Sequence, residues 1–256
     1  MYENQFEQIS LLGYLFSDNE DFATFMSNDV AKRLFDEEGN NEYESHLRNL
    51  VTTQFGSENL ESVLNANIPE EREWAIGESI AESWLSEEYG VIWPWNMERD
   101  KRVEKASLPG ADLVGFLKEN NEIYLVLGEV KTSNQNRCPP NVMNGRSGMR
   151  HQIDRLATNL GVINKLLKWL YFRCKNTEYE TYYNQAAQSF FNSGNKTVCL
   201  CGVLIRDTEA NELDLIARGE DLKRSINAPT ICRLIALYLG CEIAELPERV
   251  GRGEAL

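Results

Sequence analysis

Two β-rich segments joined by two asparagines constrain the fold of this chain more than any other feature. The segments span residues 111–118 and 122–132, with Asn120 and Asn121 between them. Two-residue connections rich in asparagine favour a tight β-hairpin, in which the residues that flank the turn face each other. The sequence therefore predicts two antiparallel strands in a defined register, with their apolar residues paired on one face.

This register brings two acidic side chains together. Asp112 falls opposite Glu129, and side chains in that relation lie about 4.5–5.5 Å apart at Cβ, where like charges repel unless a cation intervenes. Carboxylates suit Mg²⁺ or Mn²⁺, with water and a substrate phosphate in the remaining positions. Lys131 lies two residues further on the same face and is predicted to activate a water molecule or stabilise phosphate charge. A slip of one residue would send Asp112 to the other face.

Two predicted helices offer further polar groups. The first spans residues 73–89, with Glu78 at the border of its apolar arc and Glu82 predicted to face solvent. Glu78 is the candidate third metal ligand, and an ordinary boundary glutamate is the alternative. The second helix is predicted over residues 148–172, with Gln152 on its apolar face. A glutamine there requires a hydrogen-bond partner, unless it is simply half exposed in the first turn.

The charge of the chain is distributed unevenly. Residues 1–100 contain 22 Asp and Glu against 5 Lys and Arg, whereas residues 101–256 contain 18 against 21. Within residues 131–175, nine basic side chains accompany one acidic one. A local excess of this kind is typical of nucleic-acid binding, and a solvated, mixed-charge helix face is the alternative. The residues predicted to contact the DNA backbone are Arg146, Arg150, Lys165 and Lys168.

The order of elements predicts an α/β or α+β fold, with a central mixed sheet flanked by helices. An acidic, helical N-terminal region is predicted over residues 1–72, and the core over residues 73–256. Within the core, residues 197–206 have the pattern of a buried strand. Residues 228–240 are predicted to form the last helix.

Several classes of protein are not expected. The chain has no apolar run approaching the roughly 18 residues that a membrane helix needs, and its first residues do not resemble a signal peptide. Its six cysteines include no Cys-x-x-Cys pair, which favours reduced thiols in a cytoplasmic protein. No glycine-rich phosphate-binding motif occurs, so no nucleotide cofactor is expected.

Taken together, these residues resemble the PD-(D/E)xK nuclease superfamily. The matching positions are Glu78 on a helix, Asp112 on one strand, Glu129-Val130-Lys131 on the next, and Gln152 on the following helix. The resemblance covers about residues 73–205. It implies a restriction-endonuclease-like core and a DNA nuclease that depends on Mg²⁺ or Mn²⁺. One departure is the proline, which stands three residues before Asp112 rather than next to it and leaves room for a function other than that of a nuclease.

A narrower resemblance is to the HamA-type nuclease subunits of Hachiman anti-phage defence systems. It rests on Trp74-x-Ile76-Gly77-Glu78 and on residues 94–100 and 107–116. The resemblance implies a subunit that acts on DNA with a superfamily 2 helicase and is restrained until foreign or damaged DNA appears. The acidic first hundred residues then dock the partner or restrain the nuclease, or only cap the fold. The alternative function is a non-catalytic subunit that binds a partner or a nucleic-acid end.

Overall fold

A mixed sheet of six strands organises the chain in its computed structural model, which describes residues 1–66, 73–100 and 110–251. The strands are β1 (Tyr2–Phe6), β2 (Ile9–Leu15), β3 (Leu113–Glu119), β4 (Glu122–Ser133), β5 (Val198–Arg206) and β6 (Ile231–Tyr238). Their order across the sheet is β1-β2-β6-β5-β4-β3. The outermost pairs on both sides are antiparallel, and the three central pairs are parallel. The predicted fold class is confirmed.

Helices cover both faces of this sheet. They are α1 (Glu20–Thr24), α2 (Ala31–Phe35), α3 (Glu37–Leu50), α4 (Gln54–Leu64), α5 (Glu73–Tyr89), α6 (Met97–Asp100), α7 (Met149–Thr158), α8 (Leu160–Cys174), α9 (Glu180–Asn192), α10 (Ile216–Leu222) and α11 (Leu246–Val250). Helices α7 to α10 bury apolar residues against one face, and α5 and α11 against the other. None of the helices within the described ranges is long and apolar enough to cross a membrane.

The register of the β3–β4 hairpin is the predicted one. Glu119 pairs with Glu122, and the apolar pairs follow as expected. Asn120 and Asn121 adopt φ angles of 51° and 64°. Positive φ at both central residues is what a two-residue type I′ turn requires, and asparagine tolerates it better than most residues. The local turn chemistry therefore sets the register that positions the candidate site.

Two segments predicted as helix are strands. The N-terminal region begins with the β1–β2 hairpin, and β2 joins the main sheet by pairing with β6. The predicted boundary at residue 72 therefore does not separate the first residues from the sheet. Residues 231–238, predicted within a helix over 228–240, form the central strand β6. Strands covered on both faces read as continuous apolar runs, and periodicity does not distinguish such runs from buried helix.

The helix predicted over residues 148–172 is two helices, α7 and α8. Asn159 breaks it with φ −96° and ψ 91°, and its side chain accepts hydrogen bonds from the Gly161 and Val162 amides at 3.0 and 3.2 Å. An asparagine in this capping role satisfies amides that have no partner in the first helical turn. The apolar face on which Gln152 was predicted to lie therefore does not continue from α7 into α8. The helix predicted over residues 73–89 is confirmed with the same bounds as α5.

Candidate active site

The carboxyl-terminal part of β4 brings Asp112, Glu129 and Lys131 together. Asp112 immediately precedes β3, and its amide donates a hydrogen bond to the Gly128 carbonyl at 2.9 Å. Its Oδ2 accepts one from the Val130 amide at 3.0 Å, so the side chain lies along the edge of β4. The Lys131 Nζ donates to Glu129 Oε1 at 2.5 Å. Three of the five predicted catalytic residues thus form one cluster.

Burial dominates the electrostatics of this cluster. Glu129 is 4% exposed, and its carboxyl has a pKa raised to about 7, with the loss of solvation as the largest cause. The Asp112 carboxyl, within hydrogen-bonding reach, contributes to this increase in pKa, whereas the Lys131 ammonium opposes it. Two carboxyls and one ammonium leave a negative charge when both acids are ionised. The cluster therefore has the electrostatic character of a cation site that Lys131 neutralises only in part.

The donors present fit a divalent ion that keeps much of its hydration. Mg²⁺ is commonly held by one or two carboxylates, with water and substrate phosphate in the other positions. Asp112 and Glu129 supply two such carboxylates. Among the residues that the structure describes, no group of three His, Cys, Asp or Glu side chains is close enough to hold a metal. Glu78 is therefore not brought to the other two as a third ligand.

Helix α5 reaches the same end of β4 and carries two glutamates with different surroundings. A Cβ added at Gly77 would lie 2.7 Å from Thr132 Oγ1, so the helix packs on β4 at Thr132, whose side chain points to the face opposite Glu129 and Lys131. Glu78, the following residue, is half-buried there. Glu82 is 2% exposed and pairs with Arg33 at 2.6 Å. The prediction that Glu82 faces solvent is wrong, because α2 packs on α5 and covers it.

The beginning of α7 packs on the sheet beside Glu129. A Cβ added at Gly202 would lie 2.9 Å from Met149 Sδ, and Gly202 is the β5 residue paired with Glu129. This contact places the first turn of α7 against β5, at the residue that neighbours Glu129 in the sheet. Gln152 belongs to that turn and is half-buried. Its position agrees with either interpretation of the sequence, a group at the site or a partly exposed residue of the first turn.

The predicted DNA-binding residues are divided among α7, α8 and the loop that precedes α7. Lys165 and Lys168 are exposed on α8, and Arg146 is exposed in the loop before α7. Arg150 lies on α7 and is 3.9 Å from Asp221 of α10. Other basic residues of the segment 131–175 also have structural partners, such as Arg173 with Asp100 at 3.0 Å. The surface charge available to a polyanion is therefore smaller than the sequence count indicates.

A buried arginine behind the site was not predicted. Arg206 ends β5, is fully buried and lies 3.6 Å from the equally buried Asp214. Its Nη2 donates to the Gln135 carbonyl at 2.8 Å, which ties the loop that follows β4 to the sheet. A charged residue at the end of an apolar strand usually reaches solvent, so the sequence contains no signal for this role. Arg206 therefore holds the loop that follows Lys131 in place.

The raised pKa of Glu129 predicts how stability depends on pH. A carboxyl whose folded-state pKa exceeds its unfolded value binds protons more tightly in the folded state. Its contribution is therefore present at low pH and is lost as pH rises from about 4.3 to about 7. Between pH 5 and pH 8 the metal-free protein should lose up to about 3 kcal/mol of unfolding free energy relative to Glu129→Gln. Urea unfolding of both proteins at the two pH values measures this difference.

Glu122→Gln is the matched control, because Glu122 begins the same strand and is exposed. The control should follow the wild type at both pH values. A wild-type protein whose stability changes with pH in parallel with Glu129→Gln would show that Glu129 is not the titrating group.

Comparison with known proteins does not identify a family or a function for this site. No protein-family model matches the sequence, and no curated protein matches it significantly.

Proposed function

We propose that this protein is a metal-dependent DNA nuclease that hydrolyses phosphodiester bonds. The observation that carries the proposal is the cluster of Asp112, Glu129 and Lys131 at the end of β4. Two carboxyls in contact, one of them buried and with a raised pKa, are costly unless they serve a ligand. The resemblance to PD-(D/E)xK nucleases assigns the same three positions to catalysis.

Each residue of the cluster has a separate role in this proposal. The Val130 amide holds the Asp112 carboxylate in a fixed orientation before substrate arrives. Glu129 provides the second carboxylate in a site shielded from water. Lys131 is 20% exposed at the rim, where its ammonium donates to a phosphate oxygen or to the attacking water molecule. Bound Mg²⁺ or Mn²⁺ would supply positive charge for the phosphate and lower the pKa of a water molecule.

The proposal includes a protein partner, and α3 and α4 are the surface that suits it. Neither helix contains a buried residue. Four of their large apolar side chains are exposed: Tyr43, Leu50, Phe55 and Val63. Such a surface on a helical pair is typical of an interaction site. The two helices contain six glutamates and one arginine, so they repel DNA and favour a protein surface that is apolar and basic. We assign this surface to the helicase subunit.

The assignment of the whole system follows from the same resemblance. The nuclease is proposed to act as the cytoplasmic effector of a bacterial anti-phage defence complex, restrained until the helicase delivers DNA. The negative charge of the first hundred residues opposes the approach of free DNA. At physiological salt the basic residues act only over a Debye length of about 8 Å. The isolated chain is therefore expected to bind and cut DNA poorly.

A second function, a non-catalytic subunit on the same fold, is favoured by two observations. Lys131 forms a close ion pair with Glu129, which is the arrangement expected if the pair only stabilises the strand. The structure also has a cavity of about 960 Å³ that is lined by residues of α2, α3 and α5, including Arg33, Asp36 and Ser83, but not by Glu129. Partner binding without catalysis would agree with both features.

Plasmid degradation by the purified complex distinguishes the two functions. We expect cleavage with Mg²⁺ or Mn²⁺, none with EDTA, and much slower cleavage by the isolated chain at physiological salt. Cleavage that persists in EDTA contradicts the metal requirement. A complex that binds DNA but leaves it intact with either metal supports the non-catalytic function, and strong cleavage by the isolated chain contradicts the need for a partner.

A further inference from the structure

Helix α8 has a solvent-exposed strip of aromatic and basic side chains. The α8 strip consists of Lys165, Lys168, Tyr171, Phe172 and Lys175, the last at the C-terminal cap of the helix. Phe172 is 66% exposed and Tyr171 38%. Residues three and four apart are neighbours on a helix surface, so Lys165, Lys168 and Phe172 lie along one line. A large aromatic ring is thus exposed to solvent on the same line of the helix surface as two lysines.

The rings of the strip are positioned by one another and by a lysine. Tyr171 contacts Phe172 edge to face, with centroids 5.2 Å apart, and also lies 5.8 Å from the Tyr183 ring of α9. The Lys175 Nζ lies 5.8 Å from the centre of the Tyr171 ring. Residues 160–175 contain four basic side chains and no acidic one. The strip therefore combines ordered aromatic rings with positive charge and no negative charge.

The helix that carries the strip begins near the candidate active site. A Cβ added at Gly110 would lie 2.8 Å from Val162 Cγ1, so the first turn of α8 packs against the residue two positions before Asp112. Phe172 is ten residues further along α8, a distance of about 15 Å at 1.5 Å per residue. The strip therefore lies on the helix whose first turn contacts the segment leading into Asp112, and its aromatic residues lie further along that helix.

We propose that the α8 strip binds single-stranded DNA and leads it to the Asp112–Glu129 site. The inference rests on the proposed nuclease function for the identity of the nucleic acid. Unpaired bases expose faces that stack on aromatic rings, whereas a duplex presents mainly phosphates and base edges. Phe172 and Tyr171 stack with bases, and Lys165 and Lys168 bind the adjacent phosphates. The substrate class is therefore DNA with an unpaired strand, such as a helicase produces.

Fluorescence anisotropy in EDTA measures this binding without cleavage. The probes are a labelled single-stranded oligonucleotide and the blunt duplex of the same length, each with the purified complex. Phe172→Leu removes the ring and keeps an apolar side chain. We expect it to weaken single-strand binding about 5- to 100-fold, the effect of losing one stacked base, and to change duplex binding less than about twofold. Lys168→Gln should reduce the slope of log affinity against log salt concentration for the single strand by about 0.7.

Phe191→Leu is the matched control, since Phe191 is an exposed aromatic residue on α9 outside the strip, and it should bind both probes as the wild type does. Equal effects of Phe172→Leu on the two probes, or no effect on either, overturn the proposal. Loss of helicase binding by Phe172→Leu also overturns it and shows that the strip docks a protein.

Glu129→Ala separates the hypothesis of a nuclease site from the hypothesis of a DNA-binding strip. Full cleavage by that variant rejects the nuclease site, while its affinity for the single strand tests the strip alone.

Discussion

Glu129→Ala is expected to reduce DNA cleavage by the complex by about 10³-fold or more, as the removal of a group that stabilises transition-state charge does elsewhere. Glu129 is buried, and its carboxyl has a pKa raised to about 7 by lost solvation and by Asp112. The variant loses a candidate metal ligand and the partner of Lys131. Initial rates of plasmid cleavage at saturating Mg²⁺ measure the effect.

The same variant is not expected to be less stable at pH 8. Ionised Glu129 is unfavourable in the folded metal-free protein, because its folded-state pKa lies above its unfolded value. Loss of this unfavourable charge offsets the small cavity that alanine leaves. A decrease in cleavage at unchanged unfolding free energy therefore assigns the effect to chemistry.

Two further variants complete this test. Asp112→Asn keeps an oxygen that accepts the Val130 amide and removes only the charge, so it should lose cleavage while the strand edge stays intact. Glu122→Ala, at the exposed beginning of the same strand, should cleave as the wild type does. More than about a tenth of wild-type cleavage by Glu129→Ala would contradict the assignment of the site.

The hairpin that carries the site was predictable because its determinants are local. Asn120 and Asn121 fix a two-residue turn, and the turn fixes which residues face each other. The period of two then places Glu129 and Lys131 on one face of β4. A sequence of about twenty residues therefore contains the information that brings Asp112 to Glu129.

The surroundings of the site were less predictable, since they depend on contacts between distant segments. Glu82 is buried because Arg33, 49 residues earlier, covers it. The strand β6 has the apolar composition of a buried helix, and only its place between β2 and β5 determines its conformation. Asn159 ends α7 by capping α8, and helical periodicity alone does not predict this break between the two helices.

The position of Glu78 also depends on a contact between distant segments. The apolar arc of α5 was predictable, and the helix has the predicted bounds. The distance from that helix to β4 depends on Gly77, which allows close approach to Thr132. Helical periodicity predicts which side of α5 faces the sheet, but not whether the Glu78 carboxyl reaches the two acids of the hairpin.

Arg206→Met is expected to lower the free energy of unfolding by about 3–5 kcal/mol, the usual cost of breaking a buried ion pair by removing one partner. Arg206 and Asp214 are both fully buried. The substitution leaves the Asp214 carboxylate with the Tyr238 hydroxyl, which donates to it at 3.0 Å, but without a balancing charge. It also removes the hydrogen bond to the Gln135 carbonyl. Urea unfolding at pH 7 measures the loss.

The double variant Arg206→Met/Asp214→Asn distinguishes an electrostatic cost from lost packing. Replacing both charges removes the uncompensated carboxylate, so the double variant should recover at least half of the stability that Arg206→Met loses. Arg155→Met, at an exposed position of α7, should change stability by less than about 0.5 kcal/mol. If the losses measured for Arg206→Met and for Asp214→Asn alone simply add in the double variant, the pair is not coupled. The loop after β4 would then be anchored by the arginine's packing and its bonds to carbonyls rather than by the ion pair.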